Sequence, residues 1–175
     1  MFIQDTMRFP ESRFWDYSLR GYANPSVQKA SLSLQESYGA NVNILFFIAW
    51  TASNNAKLRG ETFEKAKSVV SKWHNEVVLP LRIIRQALKT ESKGAEIELV
   101  SVFRDQIKRI ELESEHIEQL MLETCNIDVG LDDVDLVNRR LYATQGICSY
   151  LEDLGARLND GDNNCVKDFV FGTVI

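Results

Sequence analysis

The 175-residue sequence predicts an all-α fold: a single-domain bundle of five to seven helices, spanning residues 1–175, around one apolar central helix. Three observations carry this reading. Apolar residues recur every three or four positions along most of the chain, the period of a helix that buries one face. The nine glycines and three prolines fall mostly between these periodic stretches, where helices stop and start. One run, Ile44 to Trp50, is apolar on every side, which suits a helix enclosed by others. It is far shorter than the ~20 residues that cross a bilayer, so no membrane span is expected. With 45% hydrophobic and 26% charged residues, the chain can fill one sizeable core and still present an ordinary wet surface.

The elements follow in order. Glu11 to Tyr22 comes after Pro10 and carries Phe14, Trp15, Leu19 and Tyr22 at helical spacing, with Gly21 weakening its end. Asn24-Pro25 supplies an N-cap and a proline at the first helical position. That second helix reaches Tyr38, with Val27, Ala30, Leu34 and Tyr38 on one face and Gly39 as its stop. Asn41 starts the central helix, Val42 to Ser53, and a loop runs on through Gly60. Thr62 then caps a long segment reaching Lys89. Its seam of Phe63, Ala66, Val70, Trp73 and Val77 continues through Leu81, Ile84 and Leu88. Pro80 should kink or divide this segment, because its ring clashes with the preceding turn.

After a loop at Thr90 to Gly94, the longest helix is expected from Ala95 to Thr124. Val100, Phe103, Ile107, Ile110, Ser114, Ile117 and Met121 repeat there in steps of three and four. That seam serves equally inside a bundle or against a second copy, so a homo-oligomer is open. Asn126 to Leu131 is a turn. Asp132 or Asp133 caps a last helix ending near Leu158, with Val137, Leu141, Thr144, Cys148 and Leu151 as its buried line. Asn159 to Asn164 reads as a polar loop, and irregular tails are allowed at residues 1–10 and 166–175.

Charge is unevenly spread. Lys57 to Lys93 holds nine basic and four acidic residues, a net of +5, whereas Glu96 to Leu136 holds three basic and twelve acidic, a net of −9. Opposite flanks of this kind favour antiparallel pairing of the two helices. The pI near 5.1 and net charge of −5 argue against nucleic acid as a partner. Cys125, Cys148 and Cys165 are odd in number and share no CxxC spacing, so a disulfide framework or cysteine zinc site is not expected. Free thiols and an N-terminus without a signal pattern fit the cytoplasm.

No phosphate-cradling glycine loop, nucleophile elbow or catalytic triad is present, and no cofactor is expected. Arg82, Arg85 and Lys89 lie on one helical face and can grip a phosphate or carboxylate, or else pair with the acidic helix. Glu113 and His116 form a Glu-x-x-His pair, the spacing of a di-iron helix, but the second such pair is missing. Asp132, Asp133 and Asp135 suit helix capping better than a diphosphate site, and the Asp160 to Asn164 loop lacks the terminal glutamate of an EF-hand.

Two patches form an ordered series. The first is Phe14-Trp15, Tyr22-Ala23-Asn24-Pro25-Ser26-Val27, Leu34-Gln35, Gly39, Val42-Asn43-Ile44-Leu45-Phe46-Phe47 and Trp50. The second is Trp73, Val77-Val78-Leu79-Pro80-Leu81-Arg82, Arg85 and Leu88-Lys89. Together they resemble a family of small bacterial proteins known only as a domain of unknown function. The resemblance implies a helical domain of bacterial cytoplasmic origin and no particular activity. Within it, Gln35 and Asn43 are buried-amide candidates. They either satisfy backbone groups or line a pocket with Trp50, Trp73 and Arg82. The expected function is a non-catalytic interaction or adaptor protein that meets another protein through a charged helical face. The alternative is a binder, or an enzyme, for a phosphorylated or carboxylated amphiphile in an aromatic pocket beside Arg82 and Arg85.

Overall fold

Most helices here start where a side chain satisfies the first free amides, and the computed structural model, which describes residues 9–90, 94–125 and 133–175, shows eight helices among them. They are α1 Arg13–Tyr22, α2 Pro25–Tyr38, α3 Val42–Ser53, α4 Gly60–Trp73, α5 Leu79–Thr90, α6 Ile97–Glu123, α7 Leu136–Asp153 and α8 Asp160–Thr173. Ser12 caps α1 by accepting from the Trp15 amide at 2.8 Å. Asn24 caps α2, with Pro25 at its first position, and Gly39 closes it with φ 67, a conformation that costs glycine little. Asn41 caps α3, its Oδ1 accepting from the Asn43 amide at 2.9 Å. Among the described residues there is no strand.

The expected break at Pro80 takes a specific form. Between α4 and α5 the backbone widens into a π-helical turn, His74–Val78, and the Leu79 amide bonds to the His74 carbonyl. A wider turn makes room for the pyrrolidine ring without ending the helix. The two helices therefore run on as one rod, giving seven continuous helical rods in all.

Helix α3 is the centre of the bundle, with nine of its twelve residues buried. It packs on α7, α6, α1, α2 and α8, while α2 lies along α8 and α5 along α6. Gly146 permits the α3–α7 approach, since a Cβ there would fall 2.7 Å from Ile48 Cγ2. Gly21, expected only to weaken the end of α1, has the same role against Phe46.

Several expectations are corrected. The polar stretch from Asn159 is not a loop, and residues 166–175 are not an irregular tail. Asn159 and Asp162 form a reciprocal capping box that launches α8, which buries Val166, Phe169 and Val170. Phe171 is exposed and lies under the Arg140 guanidinium at 4.3 Å. The buried face of α7 is Ala143, Gly146, Ile147, Tyr150 and Leu151, so Val137 and Leu141 point outward. Leu19 is likewise exposed on α1. Helix α4 begins at Gly60, ahead of Thr62, with no side-chain cap. Asp135 caps α7; Asp132 and the turn at residues 126–131 lie outside the described residues.

Candidate functional site

The N-terminus of α3 meets α6 and the π turn around one carboxylate, Glu118, which is 0% exposed. Burying a carboxylate is costly unless donors replace its water. Three do so here. Asn41 Nδ2 donates to Oε1 at 2.6 Å, Asn43 Nδ2 to Oε2 at 2.7 Å, and His74 Nδ1 lies 3.0 Å from Oε1. The Asn41 oxygen is committed to its capping bond, so its amide nitrogen must face Glu118. His74 Nδ1 and Asn41 Nδ2 are 3.0 Å apart and converge on the same acceptor, which requires a proton on Nδ1. Gln119 Nε2 extends the chain to Asn43 Oδ1 at 2.8 Å, and the Tyr150 hydroxyl accepts from the Asn41 amide at 3.0 Å. One capping asparagine thus ties α3 to α6, α7 and the π turn.

A second cluster sits two turns back along α6. Arg82 uses all three edges of its guanidinium. Nε donates to Glu111 at 3.0 Å, Nη1 to Gln35 at 2.6 Å and Nη2 to Glu115 at 2.6 Å. Arg85 also donates to Glu111. Burial pushes the Glu115 carboxyl above its ordinary range, outweighing the attraction of Arg82, and the neighbouring Glu111 pushes it the same way. The oppositely charged flanks seen in the sequence therefore meet within one molecule, with Arg82 bonded through all three guanidinium nitrogens and Arg85 through its Nε and Nη2.

The remaining candidates disperse. Lys89 is exposed at the end of α5. Trp73 donates its ring N–H to the Ser114 carbonyl at 3.0 Å, and Ser114, the polar break in the α6 seam, is buried beneath it. Trp50 packs against Phe14 and Phe47 and lines a cleft of about 520 Å³. That cleft is bordered by neither Trp73 nor Arg82. The expected aromatic pocket is thus divided. Gln35 and Asn43 join different polar clusters, and Trp50 faces elsewhere.

Glu113 and His116 do not converge. Glu113 is exposed, 3.7 Å from Arg109, while His116 is clamped between the rings of Phe9 and Trp15 at centroid distances of 4.8 and 4.3 Å. Burial lowers the His116 pKa below 6.5, although Glu123 and Asp16 pull the other way. Among the described residues no group of three or more His, Cys, Asp or Glu side chains is placed to hold a metal ion, and no helix is long and apolar enough to cross a membrane.

Glu111, Glu115, Glu118 and His74 were missed as members of these clusters. In sequence they look like ordinary residues of charged helices. The available signal was Glu118 four residues from Ser114 and Leu122, on the seam and not opposite it.

These features define an all-α bundle whose core is cross-linked by buried amide–carboxylate and arginine–carboxylate clusters. The chain belongs to DUF2390, a protein family of unknown function, whose profile matches residues 13–122. Apart from Tyr150, every residue of both polar clusters lies within that stretch. No curated protein and no solved structure gives a significant match.

Proposed function

We propose that this is a non-catalytic interaction protein of the bacterial cytoplasm that binds another protein through the apolar outer face of the α5–α6 hairpin. The observation that carries the reading is what this hairpin leaves uncovered. Helix α6 is about 40 Å long at 1.5 Å per residue. Its buried residues all lie between Ile107 and Leu122, whereas most of its first turns are exposed among the described residues. Leu99, Val102 and Phe103 are 64%, 60% and 51% exposed. Ile110 and, on α5, Ile83 and Ile84 are exposed as well. Several large apolar side chains left in water on one helical hairpin are what a partner covers.

The arginine pairs hold α5 to α6 at Glu111 and Glu115, and Ile84, Phe103 and Ile110 of the same two helices are left exposed. Such a hairpin is half of a four-helix bundle, and the fitting partner supplies the other two helices. The rim mixes signs, with Glu98, Arg109 and Glu113 near the exposed apolar positions, so the charges at a partner's edge set its orientation. Three free cysteines are consistent with a reducing compartment.

The test is sedimentation velocity of the purified protein together with site-specific photocrosslinking from position 103 in cells, each repeated with Phe103→Asp/Ile110→Asp. A dimer lost in the variant identifies a second copy. A monomer whose position-103 crosslinks map to paired helices of another protein, and vanish in the variant, identifies a heterologous partner. A monomer with no variant-sensitive crosslink refutes the proposal.

A further inference from the structure

The cleft beside Trp50 lies between α1, the end of α3 and the end of α8, away from the hairpin. Its volume of about 520 Å³ suits a small organic molecule. Its walls are braced. The Tyr17 hydroxyl donates to the Thr173 carbonyl at 2.9 Å and lies 3.1 Å from Ser53 Oγ, linking all three helices at the floor. The Trp50 ring is held by Phe14 at a centroid distance of 5.1 Å. A side chain at Gly21 would meet Phe46 and Thr173, so this close approach of helices is fixed by the sequence.

The polar groups at the rim are, by contrast, unspent. Arg13 and Arg20 stand two helical turns apart on α1, both line the cleft, and neither pairs with a carboxylate among the described residues. This sets them apart from Arg82 and Arg85, both of which pair with Glu111. The half-buried Trp50 ring has its N–H open to solvent and not spent on a protein acceptor among the described residues. Asp16 is the one acidic side chain in the lining, and the Ile175 terminus borders it as well, so the arginine forks and not an excess of positive charge mark the site.

We infer that this cleft is a binding site for a small organic anion, a carboxylate or phosphate ester carrying a flat apolar body. The Arg13 and Arg20 forks take the anionic oxygens, Trp50 takes the ring face, and its N–H takes an acceptor on the ligand. Aromatic and cationic groups share one short arc of surface, so neither a bare anion nor a neutral ring fills the site. This reading does not depend on the hairpin contact.

The test is an amide and indole NMR titration of the full chain with phenyl phosphate, benzoate, inorganic phosphate and benzyl alcohol. Expected are saturable shifts of the Trp50 indole N–H and of Arg13 and Arg20 with phenyl phosphate, benzoate or both. Inorganic phosphate and benzyl alcohol should bind at least about tenfold more weakly. Arg13→Glu/Arg20→Glu should weaken the organic anion by at least about tenfold, with thermal unfolding unchanged because both side chains are exposed. Shifts that never saturate, that lie away from the cleft, or that persist in the double variant overturn the inference. Equal binding of inorganic phosphate overturns the aromatic half of it.

Discussion

Removing the Glu118 side chain should be among the most damaging single changes in this protein. In Glu118→Ala, Asn41 Nδ2, Asn43 Nδ2 and His74 Nδ1 lose a shared acceptor that lies within 3.0 Å of each. A buried donor left without a partner costs about 1–3 kcal/mol. The three losses do not add in full, because the amides can turn toward one another and water can enter the space left. A hydrogen bond to a charged group is worth about 1.5–3 kcal/mol, so with three such bonds partly replaced the expected loss is about 3–5 kcal/mol. Against a domain stability of about 5–15 kcal/mol, the variant is marginal but measurable. Urea unfolding followed by far-UV circular dichroism reads it as a fall in midpoint at unchanged slope. Glu118→Gln keeps the shape and one acceptor oxygen but turns an amide toward a donor, so it should lie between the two. A cycle with Asn43→Ala should show coupling, since the two residues share a bond at 2.7 Å. A loss below about 1 kcal/mol for Glu118→Ala would refute the reasoning, because the carboxylate would then be replaceable by water.

Arg82→Ala should cost about 3–5 kcal/mol in the same assay, because Glu115 loses its cation in a largely buried setting and Glu111 keeps only Arg85. Arg82→Lys should recover only part of that, since an ammonium cannot reach three acceptors in one plane. Gly146→Ala should destabilise by about 1–3 kcal/mol, as the new Cβ would sit 2.7 Å from Ile48 Cγ2 in a packed core, and α3 must shift to admit it. For His116 the folded state favours the neutral ring, its pKa lying below the ordinary 6.5. The stability it contributes is therefore complete above pH 6.5 and is lost as pH falls through the lowered value. His116→Phe should flatten the thermal midpoint between neutral and mildly acid pH, and an unchanged pH dependence would show that the stacked ring does not titrate with folding.

The central helix could be located from sequence alone because its signal is local. A run of seven apolar residues behind a capping asparagine has one good solution in a bundle, and Asn24-Pro25 and Gly39 are equally self-contained. Helix α8 was equally local and was misread, because a cap made of Asn159 and Asp162 looks like a polar loop until its reciprocal bonds are considered. The α7 face failed for another reason. Val137 and Leu141 are apolar at helical spacing, but Gly146 lets α3 approach on a different side, and close approach outweighs the extra apolar area.

For the candidate sites, residue type did not reveal partnership. Arg82 and Arg85 read as a basic stripe, and the sequence carries both outcomes, free or paired. Placing Glu111 and Glu115 within hydrogen-bonding reach across 26 to 33 positions is a property of how α5 folds back on α6. Nothing in the sequence marks Arg13 and Arg20, because what sets them apart is that neither closes an ion pair among the described residues of the fold, and distance is not written in a chain. By itself the sequence determined the helices, their caps and the central apolar rod, since these depend on bonds and burial within a few turns. Only the tertiary structure decided which charges neutralise one another and which remain available, because desolvation and pairing depend on residues brought together from distant parts of the chain.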